Sequence, residues 1–241
     1  MTGATVPVSA LLRKRVEASA PEAGFVPDVA SYDWVVVSSS GGKDSQAMLD
    51  YVSRLAAAAG VSQRVVVVHA DLGRVEWEGT GELAKAQAEH YGHRFMVTSR
   101  IGGVATISGK TYKAGEVFGD LLDYAERRGA WPDSANRWCT SEFKRGPILK
   151  VFTALAREWR ERTGSKGACK ILDCMGLRAE ESPARAKKVQ FTERMRTKTQ
   201  AIDSWAGNTV RCSSVNGSGA TYAPYLEVRA NAPGNNGKVR A

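Results

Sequence analysis

Trp34-Val-Val-Val-Ser38 runs straight into Ser39-Ser-Gly-Gly-Lys-Asp-Ser45, and the fold follows from what these twelve residues join. A short β-branched run of this kind reads as a buried strand. After the glycine pair, Gln46 to Ala59 carries apolar Ala47, Leu49, Val52 and Leu55 at helical spacing, and Gly60 stops it. Further out, Arg64 to His69 (Arg-Val-Val-Val-Val-His) is a second buried strand, ending in Ala70-Asp-Leu-Gly73. Glu78 to Tyr91 is an Ala-rich helix closed by Gly92, and Arg94 to Thr98 is a third strand. Strands and helices that alternate with short connections predict a parallel sheet with helices on its faces.

The rest of the chain is less regular. Residues 101–119 hold five glycines and no clear period, which predicts a surface loop with a small hairpin. Asp120 to Arg128 reads as a short helix. Pro147 to Arg162 reads as a longer one, with Pro147 at its first position. Lys170 to Met175 is a fourth strand, and from Ser182 onward no long regular element is expected. Residues 1–32 read as an N-terminal extension with a short helix at Ser9 to Ala18, residues 33–228 as one domain, and residues 229–241 as a disordered tail. The expected fold class is α/β, with a doubly wound, mostly parallel, five-stranded, Rossmann-like sheet.

The 241 residues are 43% hydrophobic and 24% charged, enough for a sizeable core and against a wholly disordered chain. Four cysteines exclude a disulfide-dense mini-protein. No apolar run approaches the roughly 18 residues of a membrane span, and Met1 to Val8 lacks the pattern of a signal peptide, so a cytoplasmic location without membrane partners is expected. Lys and Arg number 34 against 25 acidic residues, a net charge of +9. From Arg178 onward there are 11 basic and 5 acidic residues, so +6 of that excess lies in the last quarter. Such a balance suits an anionic partner, a nucleic acid or a polyphosphate.

The glycine loop has the makings of a phosphate cradle. Gly41 and Gly42 let backbone N–H groups face inward, and the following helix offers its unpaired N-terminal N–H groups and positive dipole end. Lys43 adds a point charge; Ser39, Ser40 and Ser45 add hydroxyls, and Asp44 stands among them. The loop is not a Walker A motif, which would need glycine at Val37, nor is it G-x-G-x-x-G.

Ser40-Gly-Gly-Lys-Asp-Ser45 resembles the S-G-G-x-D-S pyrophosphate loop of the adenine-nucleotide α-hydrolase-like superfamily. Three further segments narrow the resemblance to the phosphoadenosine phosphosulfate (PAPS) reductase family. His69-Ala-Asp-Leu-Gly73 looks like its H-x-D-[TL]-G. Arg137 to Pro147 looks like its R-x-C-[CT]-x-x-x-K-x-x-P, and Gly176 to Arg185 like its G-x-R-x-x-E-S-x-x-R. The four motifs occur in the family's order over roughly residues 34–190, closest to members that also resemble the sulfur-inserting enzyme of DNA phosphorothioation.

The resemblance implies ATP or PAPS as ligand, with Mg²⁺. It implies nucleotide contacts from Ser39, Ser40, Gly41, Gly42, Lys43, Asp44, Ser45, His69, Asp71, Gly73, Arg137, Lys144, Arg178 and Arg185. Glu180 or Glu181 would orient an arginine. Sulfonucleotide reduction or ATP-dependent sulfur transfer is the implied activity, with a nucleic acid or a sulfur-donor protein as a further partner. Cys139 is the candidate reactive thiol, and Cys139 with Cys174 are candidate ligands of an iron–sulfur cluster. The family's C-terminal E-C-G-L-H tail has no counterpart after Cys212. Tyr222-Ala-Pro-Tyr-Leu-Glu227 looks like the start of a strand that relatives continue into a helix and a C-x-x-C segment. The expectation is therefore a chain truncated before that segment. The alternative is a catalytically inactive module that binds an adenine nucleotide or nucleic acid. The basic stretch from Arg185 to Lys198 would contact phosphates without reading sequence, or stay solvated.

Overall fold

Val35, Val36 and Val37 are fully buried at the centre of a sheet in the computed structural model, which describes residues 25–100, 105–107, 110–112, 119–133, 135–177, 185, 187 and 190–207. They belong to β1 (Trp34–Ser39), which pairs in parallel with β2 (Val65–Asp71) on one side and β6 (Cys169–Gly176) on the other. Beyond β2 lies β3 (Arg94–Ser99), also parallel. A two-stranded hairpin of β4 (Ala105–Ile107) and β5 (Lys110–Tyr112) stands apart from the main sheet.

The strand periodicity of two divides the core. Val35 and Val37 face a cluster with Met48, Leu49 and Val52 of α1 (Lys43–Ala58) and Ala88 of α2 (Thr80–His90). Trp34 and Val36 face the opposite side, against Val151, Phe152 and Leu155 of α4 (Gly146–Thr163). Helices thus cover both faces, as a sheet of nearly continuous valine strands requires. The short α3 (Leu121–Arg128) belongs to a third, smaller cluster with Trp138 and Phe143. Among the described residues, no helix is long and apolar enough to cross a membrane.

Two expectations are corrected. The sheet has six strands, not five: with β7 (Phe191–Arg196) and β8 (Gln200–Gly207) its order is β3-β2-β1-β6-β8-β7. The region beyond Ser182, expected to lack regular structure, supplies these last two strands. β8 runs parallel to β6, and β7 runs antiparallel to β8, so the sheet is mixed though mostly parallel. The apolar signal of β8 is broken by polar residues that find partners far along the chain. The Tyr32 hydroxyl donates to Asp203 at 2.9 Å, and Gln200 reaches Thr153 at 3.3 Å. Tyr32 itself is pushed above the usual phenol range, by burial first and then by that hydrogen bond.

Other boundaries shift by a few residues. The helix after the glycine loop begins at Lys43 rather than Gln46, which places Lys43, Asp44 and Ser45 in its first turn. Cys139–Arg145 forms a π-helical segment that passes directly into α4, and Pro147 lies in the first turn of that helix. Two cations of the Arg185 to Lys198 stretch are held by acids. Arg194 bonds the buried Asp173 at 2.8 Å, and Arg196 bonds Asp203 at 2.5 Å.

Candidate functional site

The glycine loop closes on itself at the carboxyl end of β1. The Gly41 amide donates to Ser39 Oγ at 3.2 Å, the Ser40 amide donates to Ser45 Oγ at 3.2 Å, and Ser45 Oγ donates to the Gly42 carbonyl at 2.8 Å. Gly41 sits at φ +72°, a conformation L side chains resist, and a Cβ there would press to 3.0 Å from the Thr80 carbonyl. Gln87, buried on α2, donates to the Gly41 carbonyl at 3.1 Å. Gly42 is the N-cap of α1, and no side chain caps this helix end. A helix N-terminus without such a cap, with Lys43 exposed beside it, has the chemistry to take an anion.

β2 braces the loop from one side. Register places His69 opposite Ser39, and the buried imidazole donates from Nδ1 to the Ser39 carbonyl at 3.0 Å. Its Nε2 lies 3.0 Å from Glu76 Oε2. Gly81 of α2 comes close to the same ring: a Cβ there would lie 3.9 Å from it. Asp71, exposed at the strand end, accepts from the Gly73 amide at 2.8 Å. Gly73 packs so closely on Asp120 that a Cβ would overlap the Asp120 side chain. Asp120 caps α3 and binds Arg74 with both oxygens, so hydrogen bonds from Arg74 hold its carboxyl well below the usual carboxylate range.

β6 braces the loop from the other side. Gly176, the last residue of β6, meets the backbone of Asp44, where a Cβ would overlap the Asp44 carbonyl. Three of the four motifs seen in the sequence therefore converge: Ser39 to Ser45, His69 to Gly73, and Gly176. Arg178, which follows, lies outside the described residues, as do Glu180, Glu181, Ser182, Cys212 and the stretch from Tyr222 to the end. Arg185 is half-buried.

The remaining motif builds its own small module. Trp138 and Phe143 pack with Tyr124, Leu121 and Ala125, and Leu72 at the end of β2 joins them. The Trp138 and Tyr124 rings are 4.9 Å apart. Arg100, at the end of β3, lies over the rings of Tyr124 (4.9 Å) and Phe143 (5.6 Å) and pairs with Glu142. Burial lowers its guanidinium below the usual value. Arg137 and Lys144 are exposed on this module, which places them at the β2 end of the sheet.

The cysteines divide. Cys139 is half-buried at the start of the π-helical segment, 3.9 Å from Thr140 Oγ1. Cys174 is buried in the core beneath α1, where burial pushes its thiol well above the usual range. Cys169 is buried against the α4 face, its thiol pushed up to about 12 by burial. A cluster ligand must be a thiolate, and Cys139 and Cys174 belong to different clusters of the core. Among the described residues, no three His, Cys, Asp or Glu side chains gather as a metal site. These residues do not fit an iron–sulfur cluster. Mg²⁺ asks less of the protein, one or two carboxylates with substrate phosphates and water, and Asp71 is placed to supply one.

Glu76, Thr80, Gln87 and Arg100 complete the site without having stood out in the sequence. Only Gln87 left a local signal, a polar residue among the alanines of α2. A scan of protein-family models finds no match to the chain, and a search of curated proteins finds none either.

Proposed function

We propose that the chain is an adenine-nucleotide-binding enzyme of the PAPS reductase kind, acting in sulfur metabolism. The observation that carries this is the self-bonded Ser39–Ser45 loop at the end of a buried parallel strand, leading into a helix with no side-chain cap. In the proposed site the phosphates of ATP or PAPS lie over the α1 N-terminus, with Lys43 as a point charge. Gly176 bounds the crevice between β1 and β6, the two neighbours between which chain direction departs, where open α/β sheets bind ligands. Arg137, Lys144, Arg178 and Arg185 are the proposed partners of the remaining anionic groups. Mg²⁺, held through Asp71, would neutralise charge on the phosphates.

Of the two reactions the resemblance implies, ATP-dependent sulfur transfer is favoured over sulfonucleotide reduction. Among the described residues the buried Cys169 and Cys174 leave Cys139 as the one accessible thiol, with no second accessible thiol to resolve a disulfide. The same observation favours, as the second reading, a module that binds adenine nucleotide or nucleic acid without turnover. Calorimetry with ATP and with PAPS tests the binding step. Lys43→Ala should weaken the preferred nucleotide by about 1.5–3 kcal/mol, the scale of a charged hydrogen bond. Its unfolding free energy should stay within about 0.5 kcal/mol of the parent, since the side chain is exposed. Unchanged affinity would remove the loop as the phosphate site. Pyrophosphate or sulfite release then separates the enzyme from the silent module.

A further inference from the structure

Gln87 is 2% exposed, and only half of its amide is used. Nε2 donates to the Gly41 carbonyl at 3.1 Å, while the buried Oε1 has no partner among the described residues. The amide cannot turn over to relieve this, because its oxygen would then face the carbonyl oxygen. An orphaned buried acceptor costs stability, and an apolar side chain of similar length would avoid that cost. Packing alone therefore gives no reason for an amide at this place. α2 runs close along the loop here: a Cβ on Gly41 would lie 3.0 Å from the Thr80 carbonyl and 3.8 Å from the Ala84 nitrogen. Thr80, Ala84 and Gln87 thus meet Gly41 from successive turns of one helix face.

The loop amides have different fates. Those of Ser40 and Gly41 are spent inside the loop, on Ser45 Oγ and Ser39 Oγ. The Gly42 amide makes no hydrogen bond among the described residues. In a trans peptide the carbonyl and the following N–H point in opposite directions. With the Gly41 carbonyl tied to α2, the Gly42 N–H is turned away from α2. A peptide between two glycines has no Cβ on either side to hold it in one orientation. The reversed peptide would aim its carbonyl oxygen where the N–H now points, and an oxygen there repels an anion.

We propose that Gln87 is a positioning residue for the phosphate site: it fixes the Gly41–Gly42 peptide so that the Gly42 N–H, and not the Gly41 carbonyl, faces the bound anion. The proposal rests on the loop being that site. Gln87→Met keeps the length of the side chain and removes both the donor and the orphaned oxygen. It should bind ATP about tenfold more weakly than the parent in calorimetry, the scale of one hydrogen bond to a charged group. Its urea midpoint should be no lower than the parent's. Gln87→Glu adds a readout that packing does not move. A protonated carboxyl can donate to the Gly41 carbonyl and a carboxylate cannot. The variant's ATP affinity, divided by the parent's at the same pH to remove titrations the two proteins share, should therefore be higher at pH 5.5 than at pH 8.5. Parent-like ATP affinity in Gln87→Met overturns the proposal. So does a Gln87→Met variant that loses stability along with affinity, or a Gln87→Glu ratio that is the same at both pH values. Lys43→Ala separates this from the reading beneath it. If that variant keeps full ATP affinity, the loop reading has failed; if it loses affinity while Gln87→Met does not, only the role of Gln87 has.

Discussion

Gly176 and Asp44 touch backbone to backbone: the end of β6 rests on the first turn of α1 with no room for a methyl group between them. The contact sets how the loop sits over the crevice.

Gly176→Ala should therefore move the Asp44 and Ser45 backbone rather than a flexible side chain. The expected cost is about 1–3 kcal/mol of stability, the range for overpacking, with a clear loss of ATP or PAPS affinity. Denaturant unfolding and calorimetry measure the two effects. Parent-like values in both would mean that the strand and helix slide apart freely.

Glu76→Ala should leave the buried His69 ring without one of its two partners. A buried polar group deprived of its partner costs about 1–3 kcal/mol. Because His69 also bonds the Ser39 carbonyl, nucleotide affinity should fall with stability. Glu76→Gln keeps an acceptor oxygen and should restore most of both. If Gln behaves like Ala, the carboxylate charge matters more than the hydrogen bond.

His93 gives the fold an acid sensitivity. Ser53 Oγ donates to the Leu49 carbonyl at 2.6 Å, so it must accept from His93 Nε2 at 2.8 Å, and His93 Nδ1 is buried with no partner. Burial pulls the imidazole below its usual value. The unfolded chain then takes up a proton near pH 6.5 while the folded chain does not, so stability falls as pH drops below about 6.5 towards the folded value. The slope from this group is at most about 1.4 kcal/mol per pH unit. Urea unfolding at pH 7.5 and 5.5 should show a larger difference for the parent than for His93→Gln. Identical differences would show that His93 titrates alike in both states.

Arg194→Met should remove one charged partner from Asp173, whose side chain is 3% exposed. Breaking such a pair costs about 3–5 kcal/mol when fully buried. Because Arg194 is itself partly exposed and Ser38 Oγ lies 3.4 Å from Asp173, the expected loss is about 2–4 kcal/mol. Adding Asp173→Asn should recover part of it, and thermal unfolding of both variants checks the pair.

The central part of this architecture was legible because its signals are local. The valine runs of β1 and β2 have no competing reading, and Gly41 with Gly42 interrupts the first at the point where chain direction changes. β8 was not legible, because Gln200, Asp203 and Ser204 look like a loop until Thr153, Tyr32 and Asp173 are brought to them. Glu76 was missed for a similar reason: its role depends on a loop that turns it back onto His69. Cys174 lies in the valine core, as its place on a β-branched strand allows, and spacing alone does not separate that burial from a ligand role.

The pairing of β1 with β6 also has a kinetic consequence. Ser38 and Asp173, neighbours across the two strands, are 135 residues apart in the chain. β1, α1 and β2 are contiguous in the chain and can pair before β6 arrives, and until it does the Val35–Val37 edge lacks its second strand. Closing so long a segment is entropically slow, and an uncovered, flat, apolar edge is a template for pairing with another chain. Aggregation during refolding should therefore begin at β1. A segment ending before Cys169 should be far more prone to it than the whole chain, because the strand that completes the crevice is also the one that shields its floor from neighbouring molecules.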